Sequence, residues 1–266
     1  MKIVIKIGGQ AAEERDRRRR LVLQIIELRR HGHRVVVVHG GGKALTQTLE
    51  HMAIPTEFHN GLRITDAQTR DVALMVLAGG INKQWVAELE TQGQAALGIC
   101  GGDGKLVVAR KLISTLNGSK KDLGFVGRPT RINTAILDFA FEKGFVPVVA
   151  SLGLSTQGEY LNINADDLAA SLASALKADR LLYLTESGGV WDADRKLLPL
   201  VRLKEIRSLI QKGTVRDGMI PKLRSCARTL QHGVKEIDII SPDTPNSLLR
   251  TVIKRESVGT RIVKTA

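Results

Sequence analysis

The chain has 266 residues, of which 43% are hydrophobic and 25% charged, as is typical of a soluble globular protein with a substantial core. Its two cysteines lie far apart and no apolar stretch reaches transmembrane length. A disulfide framework and a membrane-spanning protein are therefore not expected, and a cytoplasmic location is predicted. The net charge of +13 favours anionic partners, among them nucleotides, carboxylate metabolites, nucleic acid and acidic proteins.

Predicted strands and helices alternate along nearly the whole chain. Strands are predicted at 2–7, 34–38, 95–100, 106–112, 146–151, 180–185 and 236–240. Helices are predicted at 12–30, 43–52, 66–91, 131–143, 165–177, 202–212, 218–231 and 245–254. Two stretches, 54–65 and 106–130, break the pattern and are predicted to be hairpins or loops beside a site. With 3% aromatic residues the core must be aliphatic, which favours an α/β fold with a mainly parallel sheet.

The second predicted strand runs directly into three glycines, in the sequence His39-Gly-Gly-Gly-Lys43, and a helix follows. Residues without a Cβ atom let backbone N–H groups approach a phosphate, and a helix N-terminus adds positive potential. A tight turn alone would need fewer glycines, so anion binding is favoured. The P-loop pattern is absent because Ala44 follows Lys43, and no G-x-G-x-x-G follows the first strand.

Two basic residues are further candidates, one at the end of the first predicted strand and one in the stretch 54–65. Lys6, just before Gly8 and Gly9, could neutralise a phosphate or simply face solvent. Arg63 could hold a carboxylate through a bidentate fork, or form a surface ion pair.

A second group of candidates precedes two predicted helices. Asn162 and Asn164 are expected to project on the same side of an extended strand, and Asp166 either caps the next helix or organises nearby lysines. The stretch from Asp217 to Lys222 by itself indicates only a helix start.

Taken in order, these segments resemble the amino-acid kinase superfamily and, within it, the acetylglutamate kinases. The resemblance spans essentially the whole chain and is carried by Lys6-Ile-Gly-Gly9, His39-Gly-Gly-Gly42, Asn60-Gly-Leu-Arg63, Asn162-Ile-Asn-Ala-Asp166, Asp217-Gly-Met219 with Lys222, and Gly259-Thr-Arg-Ile262. It implies a three-layer α/β/α sandwich with two lobes. Residues 1–177 would bind the amino acid and form a homodimer contact, and residues 178–266 would bind ATP. The implied reaction is ATP-dependent phosphorylation of N-acetyl-L-glutamate in arginine biosynthesis.

The resemblance also implies a role for each matching residue. Lys6 and Lys222 would neutralise the transferring phosphoryl group, and Asp166 would hold these lysines in place. Arg63 and Asn162 would bind the substrate α-carboxylate. The amides of Gly41 and Gly42 would contact substrate and phosphoryl group, and the nucleotide would lie against Gly9, Thr185, Gly189, Gly218 and Met219. Mg²⁺ would be held by phosphate oxygens and water, without protein ligands.

Three departures from the family pattern bear on these expectations. Glu186 stands where the family usually has Asp, which affects the nucleotide contacts from Thr185 to Gly189. The segment 98–104 differs from the common Gly-Leu-Ser-Gly pattern and could alter the acceptor site. The first predicted strand starts at residue 2, without the N-terminal helix of arginine-inhibited members, so a dimer insensitive to arginine is expected.

Two other functions compete with this interpretation. A kinase for acylated α-aminoadipate, including forms that act on an acidic carrier protein, would suit the positive charge, although those relatives tend to have Ser at the third glycine. A basic nucleic-acid-binding or regulatory protein would also explain the charge. However, the densest basic run, Arg17 to Arg20, lies in a predicted helix without interleaved aromatic residues, so neither a nucleic-acid partner nor a membrane is expected.

Overall fold

The computed structural model describes residues 1–116, 119–215 and 218–265. Its strands are β1 (Lys2–Ile7), β2 (Arg34–His39), β3 (Phe58–His59), β4 (Leu62–Arg63), β5 (Ala96–Cys100), β6 (Val107–Leu116), β7 (Ser119–Ile132), β8 (Val146–Ala150), β9 (Leu152–Leu154), β10 (Tyr160–Ile163), β11 (Arg180–Leu184), β12 (Leu200–Arg202), β13 (Glu236–Ile240) and β14 (Thr260–Val263).

The α-helices are α1 (Gln10–Glu13), α2 (Arg15–Arg30), α3 (Gly42–His51), α4 (Ala67–Ala73), α5 (Asn82–Thr91), α6 (Ala135–Glu142), α7 (Ala165–Ala175), α8 (Leu203–Gln211), α9 (Met219–Gln231) and α10 (Ser247–Val252). A π-helix, Leu74–Ile81, connects α4 directly to α5, and a short 3₁₀-helix covers Asp103–Lys105. No described helix combines the length and the apolar character needed to span a membrane.

The chain divides into two compact units. The first unit contains residues 1–37 and 169–266, and the second contains residues 38–168. The sequence placed a lobe boundary at residue 177 instead, and the roles predicted for the two lobes, 1–177 and 178–266, stay predictions.

The first unit is built on a sheet in which the strands follow the order β12, β14, β13, β11, β1. Neighbours are parallel except for β13 and β14. β11 is buried along its whole length, as expected for an aliphatic strand covered on both faces. The carboxyl ends of β1 and β11 lie side by side, because Ile7 pairs with Leu184. Ligands of parallel α/β sheets bind at this edge.

The second unit contains the parallel pair β5 and β8, the small hairpin β3–β4, and a closed barrel of β10, β7, β6 and β9. The two stretches predicted to be hairpins do form hairpins, β3–β4 and β6–β7. The predicted α/β class and the mainly parallel sheet are thus confirmed. The sequence missed the short strands β9, β12 and β14 and the π-helix within the predicted helix 66–91.

Candidate active site

In the first unit, the lysines Lys6 and Lys222 are both related to Tyr183, one by strand pairing and the other by a ring contact. Lys6 on β1 is the register partner of Tyr183 on β11, and partners on neighbouring parallel strands project to the same face of a sheet. The Nζ atom of Lys222, on α9, lies 4.7 Å from the centre of the Tyr183 ring, within the range of a cation–π interaction. Tyr183, which sequence reasoning did not single out, is therefore the strand neighbour of Lys6 and a ring contact of Lys222.

The glycine pair after β1 shapes the surroundings of Lys6. A Cβ atom on Gly8 would overlap Lys6 Nζ and lie 3.2 Å from Cε, so the lysine side chain folds back over Gly8. Gly9 has a φ of +57°, a conformation that favours glycine. Glu186 Oε1 lies 3.0 Å from the place where a Cβ on Gly9 would stand. The residue that departs from the family pattern is thus next to a predicted phosphate contact.

The loop from Thr185 to Val190 is fixed to the end of the sheet by hydrogen bonds. Thr185 N donates to Ile240 O at 3.0 Å, and Gly188 N donates to Thr185 O at 3.0 Å. Thr260 Oγ1 accepts from Val190 N at 2.7 Å and donates to Leu198 O at 2.7 Å. Thr260, in the C-terminal motif Gly259–Ile262, therefore holds the predicted nucleotide-binding loop in place through these two hydrogen bonds. This loop includes Gly189.

Gly218 and Met219 open the helix that carries Lys222. Gly218 is the N-cap of α9 and Met219 is its first residue, while Asp217 lies outside the described residues. Their predicted contact with the nucleotide stays a prediction.

In the second unit, the glycine loop packs against the π-helix. Gly41 is the N-cap of α3, and Gly42 is the first residue of that helix. A Cβ on Gly41 would overlap Ile81 Cδ1 and lie 2.7 Å from Leu77 Cδ2, whereas a Cβ on Gly42 would meet nothing within 4 Å. Close packing therefore requires glycine at position 41, and Gly42 faces open space that a ligand can enter.

A buried imidazole supports this loop. His39 is completely buried, and its Nδ1 lies 2.9 Å from Gly40 O. Its Nε2 lies 3.2 Å from Nδ2 of the equally buried Asn82, which also donates to Val148 O at 2.9 Å. Burial lowers the pKa of His39 to about 4. Sequence reasoning treated His39 only as part of the motif and gave no signal for Asn82.

The low pKa of His39 predicts that acid destabilises the fold. Below pH 6.5 the unfolded chain protonates this histidine while the folded chain does not, so stability is full above that pH and falls as the pH drops toward 4. The difference of pKa corresponds to about 3 kcal/mol. Urea unfolding at several pH values should therefore show a steeper loss between pH 7 and pH 4 for the wild type than for His39→Asn. Equal pH profiles would contradict a neutral buried imidazole.

Arg63 is a buried arginine with unused hydrogen-bonding capacity. Its Nη2 donates to Gly42 O at 3.2 Å and to Thr46 Oγ1 at 2.5 Å, and its Cζ lies 4.6 Å from the centre of the Phe58 ring. Within the described parts of the chain its buried Nη1 has no hydrogen-bond partner. Burial lowers the pKa of Arg63, but a guanidinium remains protonated at neutral pH. The arrangement suits the binding of a carboxylate.

Thr65 connects Arg63 to Asn162. Thr65 Oγ1 donates to Arg63 O at 2.9 Å and accepts from Asn162 Nδ2 at 3.3 Å. Backbone hydrogen bonds join Thr65 to both Leu123 and Phe125 of the β6–β7 hairpin. Thr65, to which the sequence assigned no such role, thus links the backbone of Arg63 to the side chain of Asn162, the two residues predicted to bind the substrate carboxylate.

Asp166 lies in the first turn of α7, but another residue caps this helix. Asn164 Oδ1 accepts from Asp166 N at 2.8 Å, which is the N-cap interaction. Asn164 lies beyond the end of β10, so its side chain serves the helix rather than forming a pair with Asn162 on the strand. A Cβ on Gly40 would lie 3.5 Å from Ala165 Cβ, which places the start of α7 beside the glycine loop. The role predicted for Asp166, holding the two lysines in place, stays a prediction.

Comparison with known proteins identifies the class. The model of the amino acid kinase family matches residues 1–241, and the chain belongs to this family, whose fold has helices and a mostly parallel central sheet. It is 45% identical over 265 residues to the acetylglutamate kinase of Koribacter versatilis, with all of both chains covered. It is 39% identical to the acetylglutamate kinase of Methylobacterium nodulans, covering 98% of this chain and 88% of the relative.

A solved structure supports the same fold. The N-acetylglutamate synthase of Neisseria gonorrhoeae, complexed with coenzyme A and N-acetylglutamate, matches with a TM-score of 0.87 at 26% identity. The match covers all of this chain and 60% of the synthase, so this chain spans about three-fifths of that protein's length.

Proposed function

We propose that this protein transfers the γ-phosphoryl group of ATP to the side-chain carboxylate of N-acetyl-L-glutamate. The observation that carries the proposal is the buried Arg63, linked through Thr65 to Asn162 next to an open glycine loop. In this arrangement Arg63 and Asn162 can bind a carboxylate, and the backbone amides of the glycine loop can bind an anion. Both groups lie in the same compact unit. The full-length similarity to two acetylglutamate kinases supports the same choice.

The chemistry needs positive charge and positioning more than an acid–base pair. The acceptor carboxylate is already a deprotonated nucleophile, and phosphoryl transfer passes through a loose transition state with charge on the peripheral oxygens. Lys6 and Lys222 neutralise that charge, and Asp166 orients the two lysines. The amides of Gly9, Gly41 and Gly42 are preorganised donors for the phosphoryl oxygens. Arg63 and Asn162 hold the α-carboxylate, so that the side-chain carboxylate points to the phosphoryl group.

Mg²⁺ would accompany ATP as its usual counter-ion and supply further positive charge. It prefers carboxylate, phosphate and water oxygens. Among the described residues no group of three or more His, Cys, Asp and Glu side chains could hold a metal ion. By the family resemblance we assign its ligands mainly to phosphate oxygens and water.

One surface feature suits the alternative acceptor on an acidic carrier protein. A groove of about 1030 Å³ on α8 and α9 has an aliphatic floor and five basic residues, Lys204, Arg207, Arg224, Arg228 and Lys264. On α9, successive residues turn by about 100°, so Arg224 and Arg228 project from the side opposite Lys222. A carrier domain docked there would not cover the lysine that we assign to phosphoryl transfer.

A turnover assay tests the proposed function and its rival together. ATP, Mg²⁺ and hydroxylamine, which traps acyl phosphate as hydroxamate, would be combined with N-acetylglutamate or N-acetyl-α-aminoadipate. We expect a clear preference for N-acetylglutamate, although one methylene separates the two by only about 1–3 kcal/mol. If neither N-acetylglutamate nor N-acetyl-α-aminoadipate gave hydroxamate, the proposal would be contradicted. A carrier-linked acceptor would then be tested.

If Arg63 binds the α-carboxylate, Arg63→Lys should raise the KM for N-acetylglutamate selectively. Lysine keeps the charge, but its single nitrogen cannot replace both the Nη2 contacts to Gly42 O and Thr46 Oγ1 and the unpartnered Nη1 donor. The KM for N-acetylglutamate should therefore rise about 10- to 100-fold, as for one lost charge-assisted hydrogen bond. The KM for ATP should change little. Steady-state kinetics with each substrate varied in turn measures both values. A larger change in the KM for ATP would contradict this assignment of Arg63.

We further propose that the protein is a homodimer that functions in the cytoplasm, where ATP is supplied. Light scattering on the purified protein would measure its mass directly.

A further inference from the structure

The loop peptide between Gly40 and Gly41 is held through its carbonyl oxygen. Its carbonyl oxygen, Gly40 O, lies 2.9 Å from His39 Nδ1. In a planar trans peptide the carbonyl and the following N–H point in opposite directions. The contact that turns Gly40 O toward the buried imidazole therefore turns the Gly41 N–H away from it.

The protonation of His39 is fixed by its neighbours. A carbonyl oxygen can only accept a hydrogen bond, so Nδ1 must carry the proton that it shares with Gly40 O. On the other side of the ring, Asn82 Nδ2 points at Nε2. The orientation of this amide is itself set, since Nδ2 donates to Val148 O at 2.9 Å and Lys83 Nζ lies 3.3 Å from Oδ1. Both sides of the ring require the same tautomer, with the proton on Nδ1.

Such a support matters because both residues of the peptide are glycines. Glycine has wide access to φ and ψ, so a peptide between two glycines can rotate by half a turn at little steric cost. Rotation would replace the Gly41 N–H by a carbonyl oxygen on the ligand side. An anion would then meet a repulsive acceptor instead of a donor.

We propose that His39, held as the Nδ1–H tautomer by Asn82, is a positioning residue that locks the Gly40–Gly41 peptide with the Gly41 N–H facing the phosphoryl group. The functional part of this inference rests on the proposed kinase reaction. The lock itself does not depend on the substrate, because every contact that forms it lies within residues 38–168.

Two substitutions distinguish a role of His39 as the hydrogen-bond donor to Gly40 O from a role in which its side chain only fills space. The side-chain amide of His39→Asn places a donor near the position of Nδ1, so it can still bind Gly40 O. The longer side chain of His39→Gln reaches the position of Nε2 and Asn82 but leaves Gly40 O without its donor. We expect His39→Gln to lower kcat in the hydroxamate assay by about 100-fold, as for one lost preorganised donor, with a smaller change in KM. His39→Asn should stay within about tenfold of the wild type.

A space-filling role gives the reverse order, because Gln is closer to His in volume. Equal losses in the two variants, or a greater loss in His39→Asn, would overturn the proposal. Two measurements stand apart from turnover and remain informative if N-acetylglutamate is not the substrate. ¹⁵N NMR of the wild type should show His39 as the Nδ1–H tautomer, and crystal structures should show the Gly40 carbonyl rotated in His39→Gln but not in His39→Asn. An Nε2–H tautomer, or an unrotated carbonyl in both variants, would refute the lock.

Discussion

Replacing Lys6 with methionine should lower kcat by about 10³-fold or more, as for other cations that neutralise a transferring phosphoryl group. Methionine keeps the length and packing of the side chain but removes its charge. The folded position of Lys6 over Gly8 and its register with Tyr183 place this charge at the carboxyl end of β1. Because the charge acts on the transition state, the KM values should change far less than kcat. Initial rates of hydroxamate formation measure both.

The matched control is Lys2→Met at the opposite end of the same strand. It removes an equal charge from the chain, so a general electrostatic effect of net charge would appear in both variants. We expect Lys2→Met to keep nearly full activity. Comparable losses in the two variants would mean that Lys6 acts only through the overall charge.

Gly41→Ala should produce the second large effect, a loss of about 100-fold in kcat, similar to the removal of one preorganised donor. The added methyl group would overlap Ile81 Cδ1 and press on Leu77 Cδ2, both on the π-helix. Because these side chains are buried, the loop must move instead and carry its amide out of place. Steady-state kinetics of the purified variant tests this directly.

The steric cause can be checked by a second substitution. Ile81→Val removes the Cδ1 atom that the new methyl group would overlap, and by itself costs only about 0.5–1.5 kcal/mol of stability. The double variant should recover a substantial part of the activity lost in Gly41→Ala. Activity that stays at the level of the single variant would show that the loss does not arise from this overlap.

The sequence predicted the fold well because strong local patterns govern it. Aliphatic strands such as β1 and β11 are read from their composition, and the glycine loop marks the end of β2. The π-helix was not predictable, since a single wider turn leaves no clear period in a short apolar segment. Strands of three or four residues, such as β12 and β14, depend on pairing partners distant in sequence and have little signal of their own.

The site was predicted in part for the same reason. Lys6, Arg63 and Asn162 stand at strand ends in recognisable motifs, and the structure links the latter two through Thr65. Asn82 could not be found, because an asparagine within a helix carries no pattern and its partner His39 is 43 residues away. The capping role of Asn164 was misjudged because the strand ends one residue earlier than its alternation suggested.

The π-helix also sets the rotational phase of the two α-helices that it joins. α4 buries Thr69, Val72 and Ala73, and α5 buries Asn82, Trp85 and Leu89. A π-helix turns less per residue than an α-helix, so the same eight residues wound as regular α-helix would turn about one residue further, roughly 100°, and would rotate one buried face by that angle against the other. Either α4 would expose its apolar side or Asn82 would leave His39. The π-helical hydrogen-bonding pattern of this segment is therefore as strictly constrained as the chemical identity of its residues.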